Sequence, residues 1–312
     1  MNPIIPFEPV RAEQIPSGPD WIHQMKWDGV RILAYHESGE TRLFNRRLHE
    51  RTSQYPELLS PLLDARSYIV DGEVIALAPD GKPSFHEVMR RDGIRRLERV
   101  PLLQREVPVT YIIFDVLSLD GVSLMDRPLA ERLDILGKGI ITGPAAQAVQ
   151  SHPDGTALFE AIRLHDLEGI VCKRLDSLYR PDSKDDRWVK VKNYGDIIAV
   201  IGGYTLRDGT INALLAGIYI ENSLHFIGKV GTGKLTASDW RELTTVMARI
   251  ATDQCPFVNH HPELRGAGWV QPRLTAKIRF TEWRWREGRT MRHPSLQAFV
   301  DVPPHSCVLV PD

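Results

Sequence analysis

Cysteine is scarce in this chain. Three residues in 312, Cys172, Cys255 and Cys307, are too few and too far apart for a disulfide framework or a thiolate zinc site. Long apolar runs are missing too. None reaches the ~18 residues of a membrane span, and no signal peptide opens the chain, so a cytoplasmic protein is expected. There is no excess of charge of either sign: 39 Lys and Arg against 40 Asp and Glu give a formal net charge of −1. Total charge therefore carries no sign of a polyanionic partner. What remains, 42% hydrophobic and 25% charged residues, is ordinary globular composition, with a length that suits roughly two domains.

The distribution of charge says more than its sum. Arg90, Arg91, Arg95, Arg96 and Arg99 crowd one short stretch. A second basic zone holds Arg273, Lys277, Arg279, Arg284, Arg286, Arg289 and Arg292, with Trp283 and Trp285 among them. Two such zones in a neutral chain point to a phosphate-backbone footprint.

Prolines 3, 6, 9, 16 and 19 make the first twenty residues an extended lead-in. Strands are expected at Ile22–Lys26, Val30–His36 and Thr41–Phe44. Pro56 is placed to open an amphipathic helix through Leu58, Leu59, Leu62 and Leu63. Tyr68–Leu77 reads as a strand broken at Asp71-Gly72, and residues 84–99 as a helix followed by a basic loop. Val109–Leu117 is a buried strand, and Pro128–Leu136 and Ala157–His165 are helices. Beyond Tyr194 the texture turns to short, Gly-rich strands (Ile197–Tyr204, Thr210–Ile220, Leu224–Val230), a helix at Ser238–Ile250 and a late strand at Ala276–Phe280. That pattern fits a small β-barrel of the OB type. Gly228–Lys234 has the glycines of a phosphate-binding loop but the wrong spacing, and is set aside.

Several charged residues stand where apolar strands should exclude them. Lys26 ends a strand in Lys-x-Asp-Gly, before a turn that Asp28 and Gly29 favour. A lysine there can act as a nucleophile on phosphorus if burial or nearby cations help it shed its proton. Glu73 lies inside an apolar strand, which is costly unless the carboxylate meets a cation, a metal or a hydroxyl. Glu168 and Lys173 bracket the apolar run Gly169–Cys172. In Trp188-Val-Lys-Val-Lys192, alternation sets Trp188, Lys190 and Lys192 on one strand face. Two such lysines repel unless an anion lies between them.

In this order the pieces resemble the ATP-dependent DNA ligases of the covalent nucleotidyltransferase superfamily, above all the ligase domain of bacterial end-joining ligases. The resemblance runs from about Pro3 to Pro304. It implies an α+β fold: a nucleotidyltransferase domain (1–194) of antiparallel sheets with flanking helices, then an OB-fold domain (195–312). By resemblance Lys26 is the adenylated nucleophile and Arg31 and Arg46 are nucleotide-binding cations. Glu73 binds the ribose and takes part in metal binding, Phe114 stacks on adenine, and Glu168 is the metal-binding carboxylate. Lys190 and Lys192 grip the α-phosphate. Lys184 stands where the family usually has arginine, and Gln24 where it usually has glutamate. Arg46, Arg90, Arg91, Arg284, Arg286 and Arg292 are the expected DNA contacts. The implied cofactors are ATP and Mg²⁺ or Mn²⁺. The implied partners are nicked or broken duplex DNA and a Ku-like end-binding protein, with the chain acting as a monomeric, minimal two-domain ligase in the bacterial cytosol.

One departure stands out. The family's tail continues from Arg-His-Pro-Ser to Arg-x-Asp-Lys, which caps ATP and orients pyrophosphate. Here Arg292-His293-Pro294-Ser295 leads into Val300-Asp301-Val302-Pro303. Two alternatives stay open: an RNA ligase or capping-type nucleotidyltransferase, and a DNA-end-binding module with weak self-adenylation.

Overall fold

Four two-residue turns set much of the strand pairing. Ser38-Gly39, Asp120-Gly121, Asp208-Gly209 and Glu221-Asn222 hold positive φ at both central residues, the geometry whose twist matches that of the strands on either side. The computed structural model describes residues 2–283 and 285–309, the side chain of Arg286 excepted. The chain divides into two compact units, Met1–Asn193 and Tyr194–Asp312.

In chain order the first unit contains β1 (Glu8–Arg11), β2 (Trp21–Met25), β3 (Val30–Glu37), β4 (Glu40–Asn45), β5 (Tyr68–Ala76), α1 (Phe85–Asp92) and α2 (Val100–Glu106). It continues through β6 (Val109–Leu119), β7 (Val122–Ser123), α3 (Leu129–Gly139), β8 (Ala146–Ala148), β9 (Ser151–His152), α4 (Gly155–Leu164), β10 (Gly169–Arg174) and β11 (Lys184–Lys192). One sheet has the order β1-β11-β10-β2-β9, the other β4-β3-β5-β6-β7 with β8 on β6. Pairing is antiparallel except for β1 on β11 and β8 on β6.

Alternation along the strands decides where the cores lie. In the second sheet Ile32, Ala34, Val70 and Tyr111 face a large core that also takes in Leu58, Leu62 and Leu63. The opposite face, through Leu33, Tyr35, Ile69 and Leu117, packs against Phe7, Tyr179 and Trp188. In the first sheet Ile170, Cys172, Val189 and Val191 pack with Ile162 of α4. Lys173, Trp188, Lys190 and Lys192 therefore face the other way.

Two local expectations are corrected. Residues 52–63 form no α-helix but two short 3₁₀ turns, Thr52–Gln54 and Pro56–Leu58. Pro61 lacks the N–H a continuing helix needs and its ring would clash with the preceding turn. The strand at Tyr68–Ala76 is unbroken, with Asp71-Gly72 marking a register shift against β6. The helix and basic loop expected over 84–99 are α1 and the residues after it, and Val100–Glu106 then folds as a second helix.

The second unit contains β12 (Gly195–Arg207), β13 (Thr210–Ile220), β14 (Ser223–Val230), α5 (Ala237–Ala248), β15 (Ala251–Thr252), β16 (Gly268–Phe280) and β17 (Ser295–Val300). Its order is β14-β13-β12-β16, with both the two-residue β15 and β17 pairing with β16. A parallel bridge from Gly233 to Leu296 brings the far edge back toward the end of β14. That is the partly open five-stranded barrel of an OB-fold, with α5 between the third and fourth main strands. β17 was not expected as a strand.

Candidate active site

Lys26 follows directly on β2, where its backbone N–H donates to the Gly169 carbonyl at 2.9 Å. Glu168 immediately precedes β10, so this pairing sets the two side chains together. Lys26 Nζ donates to Glu168 Oε2 at 2.7 Å, and Lys192 Nζ lies 3.0 Å from Oε1. One carboxylate thus bridges two ammonium groups, one from the end of β2 and one from β11. Gly169 makes this approach possible. Its φ is +144°, and a β-carbon there would run into the Val191 carbonyl and the Lys192 Cα. Gly29 does the same across Lys-x-Asp-Gly, where a β-carbon would strike the Val74 carbonyl and the Glu73 side chain.

The charges decide the protonation states. Burial pushes the Glu168 carboxyl up, but Lys26 and Lys192 outweigh it and hold the group below the usual carboxylate range. Glu73 lies opposite Arg31 on β3 and Ile112 on β6. Burial raises it to about 8, although Lys26 and Arg31 pull it down, and Glu168 and Asp71 add to the rise. The Lys190 amine is lowered by burial, then by Lys26 and Lys184. Lys26 acts on Glu168, Glu73 and Lys190 alike, the coupling expected of residues that handle a multiply charged ligand.

Beneath them lies a second layer that the sequence did not disclose. Arg31 forms a two-pronged ion pair with the fully buried Asp71, at 2.9 and 2.6 Å. The Tyr179 hydroxyl donates to the same carboxylate at 2.7 Å. Burial opposes the Arg31 charge, but Asp71 outweighs it and raises the guanidinium further. Asp115 is held by the equally buried Arg132 at 2.7 and 2.9 Å. Phe114 lies 5.3 Å from the Arg31 guanidinium and 4.2 Å from Lys173 Nζ. Gln24, buried on β2, donates to Ser151 Oγ at 2.9 Å.

Other expected contacts stand apart. Arg91 is fully buried, donating to the Val107 and Gln54 carbonyls and to Glu57. It ties α1 to the 3₁₀ turns and cannot meet DNA, which corrects that expectation. Arg90 is ion-paired to Glu87 and Glu106, at 2.7 and 3.1 Å. Arg46 is exposed and 3.8 Å from Glu8. Lys184 is exposed at the start of β11. Arg292, in the second unit, lies 3.6 Å from Glu282. Arg284 and the side chain of Arg286 lie outside the described residues.

Comparison with known proteins decides the family. The ATP-dependent DNA ligase domain model matches residues 11–192. The chain belongs to the ATP-dependent DNA ligase family. The model of the ligase C-terminal region matches residues 207–300, the OB-fold of the second unit. The multifunctional non-homologous end joining DNA repair protein LigD of Mycobacterium tuberculosis is 31% identical over 293 residues, which cover 88% of this chain and 37% of that protein. This ligase-family chain therefore spans little more than a third of that relative's length. The crystal structure of the M. tuberculosis LigD ligase domain covers 98% of both chains, at 29% identity and a TM-score of 0.53. A mycobacterial DNA ligase D complexed with ATP and MES also covers 98% of both chains, at 30% identity and a TM-score of 0.53.

Proposed function

We propose that this chain seals nicks or joined ends in duplex DNA, using ATP, through a lysyl-AMP intermediate and a DNA 5′-adenylate. The observation that carries the reading is the Lys26–Glu168–Lys192 cluster, with Lys26 at 2.7 Å and Lys192 at 3.0 Å from one carboxylate. It puts a nucleophile of the right type in a family-specific motif, among groups suited to phosphate.

Three displacements make the cycle. The free amine of Lys26 attacks the α-phosphorus of ATP, forming an N–P bond and shedding a proton as the bond to the pyrophosphate oxygen breaks. A DNA 5′-phosphate oxygen then attacks the lysyl-AMP phosphorus, and the N–P bond breaks as the nitrogen takes a proton back and leaves as the Lys26 amine. Last, a DNA 3′-hydroxyl attacks the 5′-phosphorus, losing its proton and expelling AMP. Lys190 and Lys192 stabilise the charge that grows on the α-phosphate oxygens in the first two steps. Lys184, exposed at the start of β11, and Arg46, exposed just after β4, extend the cationic path for phosphates. Arg31 supports the nucleotide from its pairing with Asp71, Phe114 takes the adenine, Gln24 lines the site beside it, and Glu73 takes the ribose.

The donor set also fits a divalent ion. Glu73 and Glu168 are hard oxygen ligands close enough that Glu168 raises the cost of ionising Glu73. Among the described residues no group of three His, Cys, Asp or Glu could hold a metal alone, so substrate phosphates would complete the shell, as is usual for Mg²⁺. Bound Mg²⁺ or Mn²⁺ would supply charge neutralisation at the phosphates.

The end-joining role stated for the mycobacterial relative supports repair of broken ends as the setting, with a Ku-like end-binding protein as partner and the chain itself acting as a monomer. Arg90, Arg284, Arg286 and Arg292 remain proposed DNA contacts. Mass spectrometry after mixing with ATP tests the core of this reading. The parent should gain the mass of AMP, and Lys26→Ala and Lys26→Arg should not, since a guanidinium is never free to attack. Adenylation of either variant removes Lys26 from the mechanism.

A further inference from the structure

Lys173 is a buried amine that none of the three displacements uses. It projects from β10 on the face shared with Trp188, its register partner on β11. Its Nζ stands 4.0 Å from the Trp188 ring and 4.2 Å from the Phe114 ring. Its polar contact is the Phe114 carbonyl at 3.4 Å. The two rings differ in how firmly they are held. Trp188 is fully buried, bonded through Nε1 to Ser177 Oγ at 3.1 Å, and packed edge-on against Phe7 at 5.1 Å. Phe114 is only half-buried. Lys173 therefore fastens a partly open ring to a fixed wall.

We propose that Lys173 is a positioning residue for the nucleotide base: it orients the Phe114 ring and, as a cation against that ring, strengthens stacking of a purine on it. This rests on the reading of Phe114 as the base-stacking residue. The chemistry is that of a cation–π contact. An ammonium at one ring draws electron density toward itself, leaving the ring better matched to an electron-rich purine.

The charge on Lys173 is finely balanced. The charged groups that act on it are Asp71 on β5, Arg31 on β3, Asp115 on β6 and Arg132 on α3. Each carboxylate already has its own arginine, so a charged Lys173 is the odd cation in the pocket. Burial, the largest cause, lowers its amine to about 7, with Asp115 and Asp71 resisting and Arg31 and Arg132 adding to the fall. The contact to Phe114 is thus switched across neutral pH.

The test is calorimetric binding of adenosine, which has no phosphate to titrate, to the whole chain between pH 6 and 9. The probes are the parent, Lys173→Met and Lys173→Arg, with Phe114→Leu as control. The parent should bind about three- to thirtyfold more tightly than Lys173→Met below pH 7, the span that cation–π contacts allow. That ratio should close toward one above pH 8. Taking the ratio cancels the titration of Glu73, which both proteins share. Lys173→Arg keeps its charge at every pH, so the parent should lose affinity relative to Lys173→Arg above pH 8, and that ratio carries the test if the methionine variant does not fold. A parent-to-variant ratio that stays constant with pH overturns the proposal, because a merely structural lysine would change affinity without a pH profile. Undiminished adenosine binding by Phe114→Leu instead overturns the base-stacking reading, and the proposal with it.

Discussion

Burial holds the Glu73 carboxyl at about 8, from an ordinary 4.5, against the pull of Lys26 and Arg31. The sign of its linkage to stability follows. A carboxyl whose pKa is raised on folding binds more protons folded than unfolded, so the stability it contributes is complete below about 4.5 and is lost as pH rises through about 8. Glu73→Gln mimics the protonated acid at every pH. Urea midpoints between pH 5 and 9 should therefore fall less steeply for this variant than for the parent. Parallel curves would mean that Glu73 ionises normally in the folded protein. Glu168, just before β10 in the other sheet, is the opposite case: two ammonium groups hold it charged. Truncating it to alanine should depress sealing far more than DNA binding, measured by gel assays on the same nicked duplex.

At the scale of elements, helix α1 separates two kinds of arginine that look alike in sequence. Arg91 is buried and bonded on three sides, whereas Arg95 and Arg96 are exposed in the loop beyond. Arg91→Ala should cost about 3–5 kcal/mol of stability, as expected when one member of a buried ion pair is removed. Chemical denaturation would show it. Arg95→Ala and Arg96→Ala should leave stability alone and each lower the salt slope of DNA binding by about one. An unchanged slope would make that loop an ordinary solvated one.

Strand β17 makes the second contrast. It pairs along β16, and beyond it the Thr275 hydroxyl bonds to the Val300 and Val302 carbonyls at 2.7 and 2.9 Å. The positions where relatives by resemblance carry charged capping residues are here stitched to the barrel and carry no cation. We expect slow self-adenylation, by roughly 10²–10³ if a charge-assisted contact is lost, with good sealing of DNA already bearing a 5′-adenylate. Single-turnover rates of the two reactions separate them. Fast adenylation that collapses in Arg284→Ala or Arg286→Ala would show that another cation has taken over the cap. Fast adenylation in every variant would end this account of the tail.

For the whole molecule, activity should require Mg²⁺ or Mn²⁺ and vanish in excess EDTA, with addition of either ion restoring it. Full sealing in EDTA would dismiss Glu73 and Glu168 as metal ligands. The sequence by itself determined the order of chemical groups: Lys26 before a Gly turn, Glu168 before an apolar strand, and Lys190 and Lys192 on one strand face. These are local properties, set by spacing along a strand with a two-residue repeat. It also determined the hairpins, because Ser38-Gly39 and Asp208-Gly209 carry their turn geometry within two residues. Only the tertiary structure decided which charges are spent on folding. Asp71 meets Arg31 across 40 positions and Tyr179 across 108, and Arg91 meets Glu57 across 34. Nothing local marks such pairs, since an arginine destined for the core and one destined for a phosphate have the same side chain. Their difference is the desolvation that arises when distant strands close over one and leave the other in water.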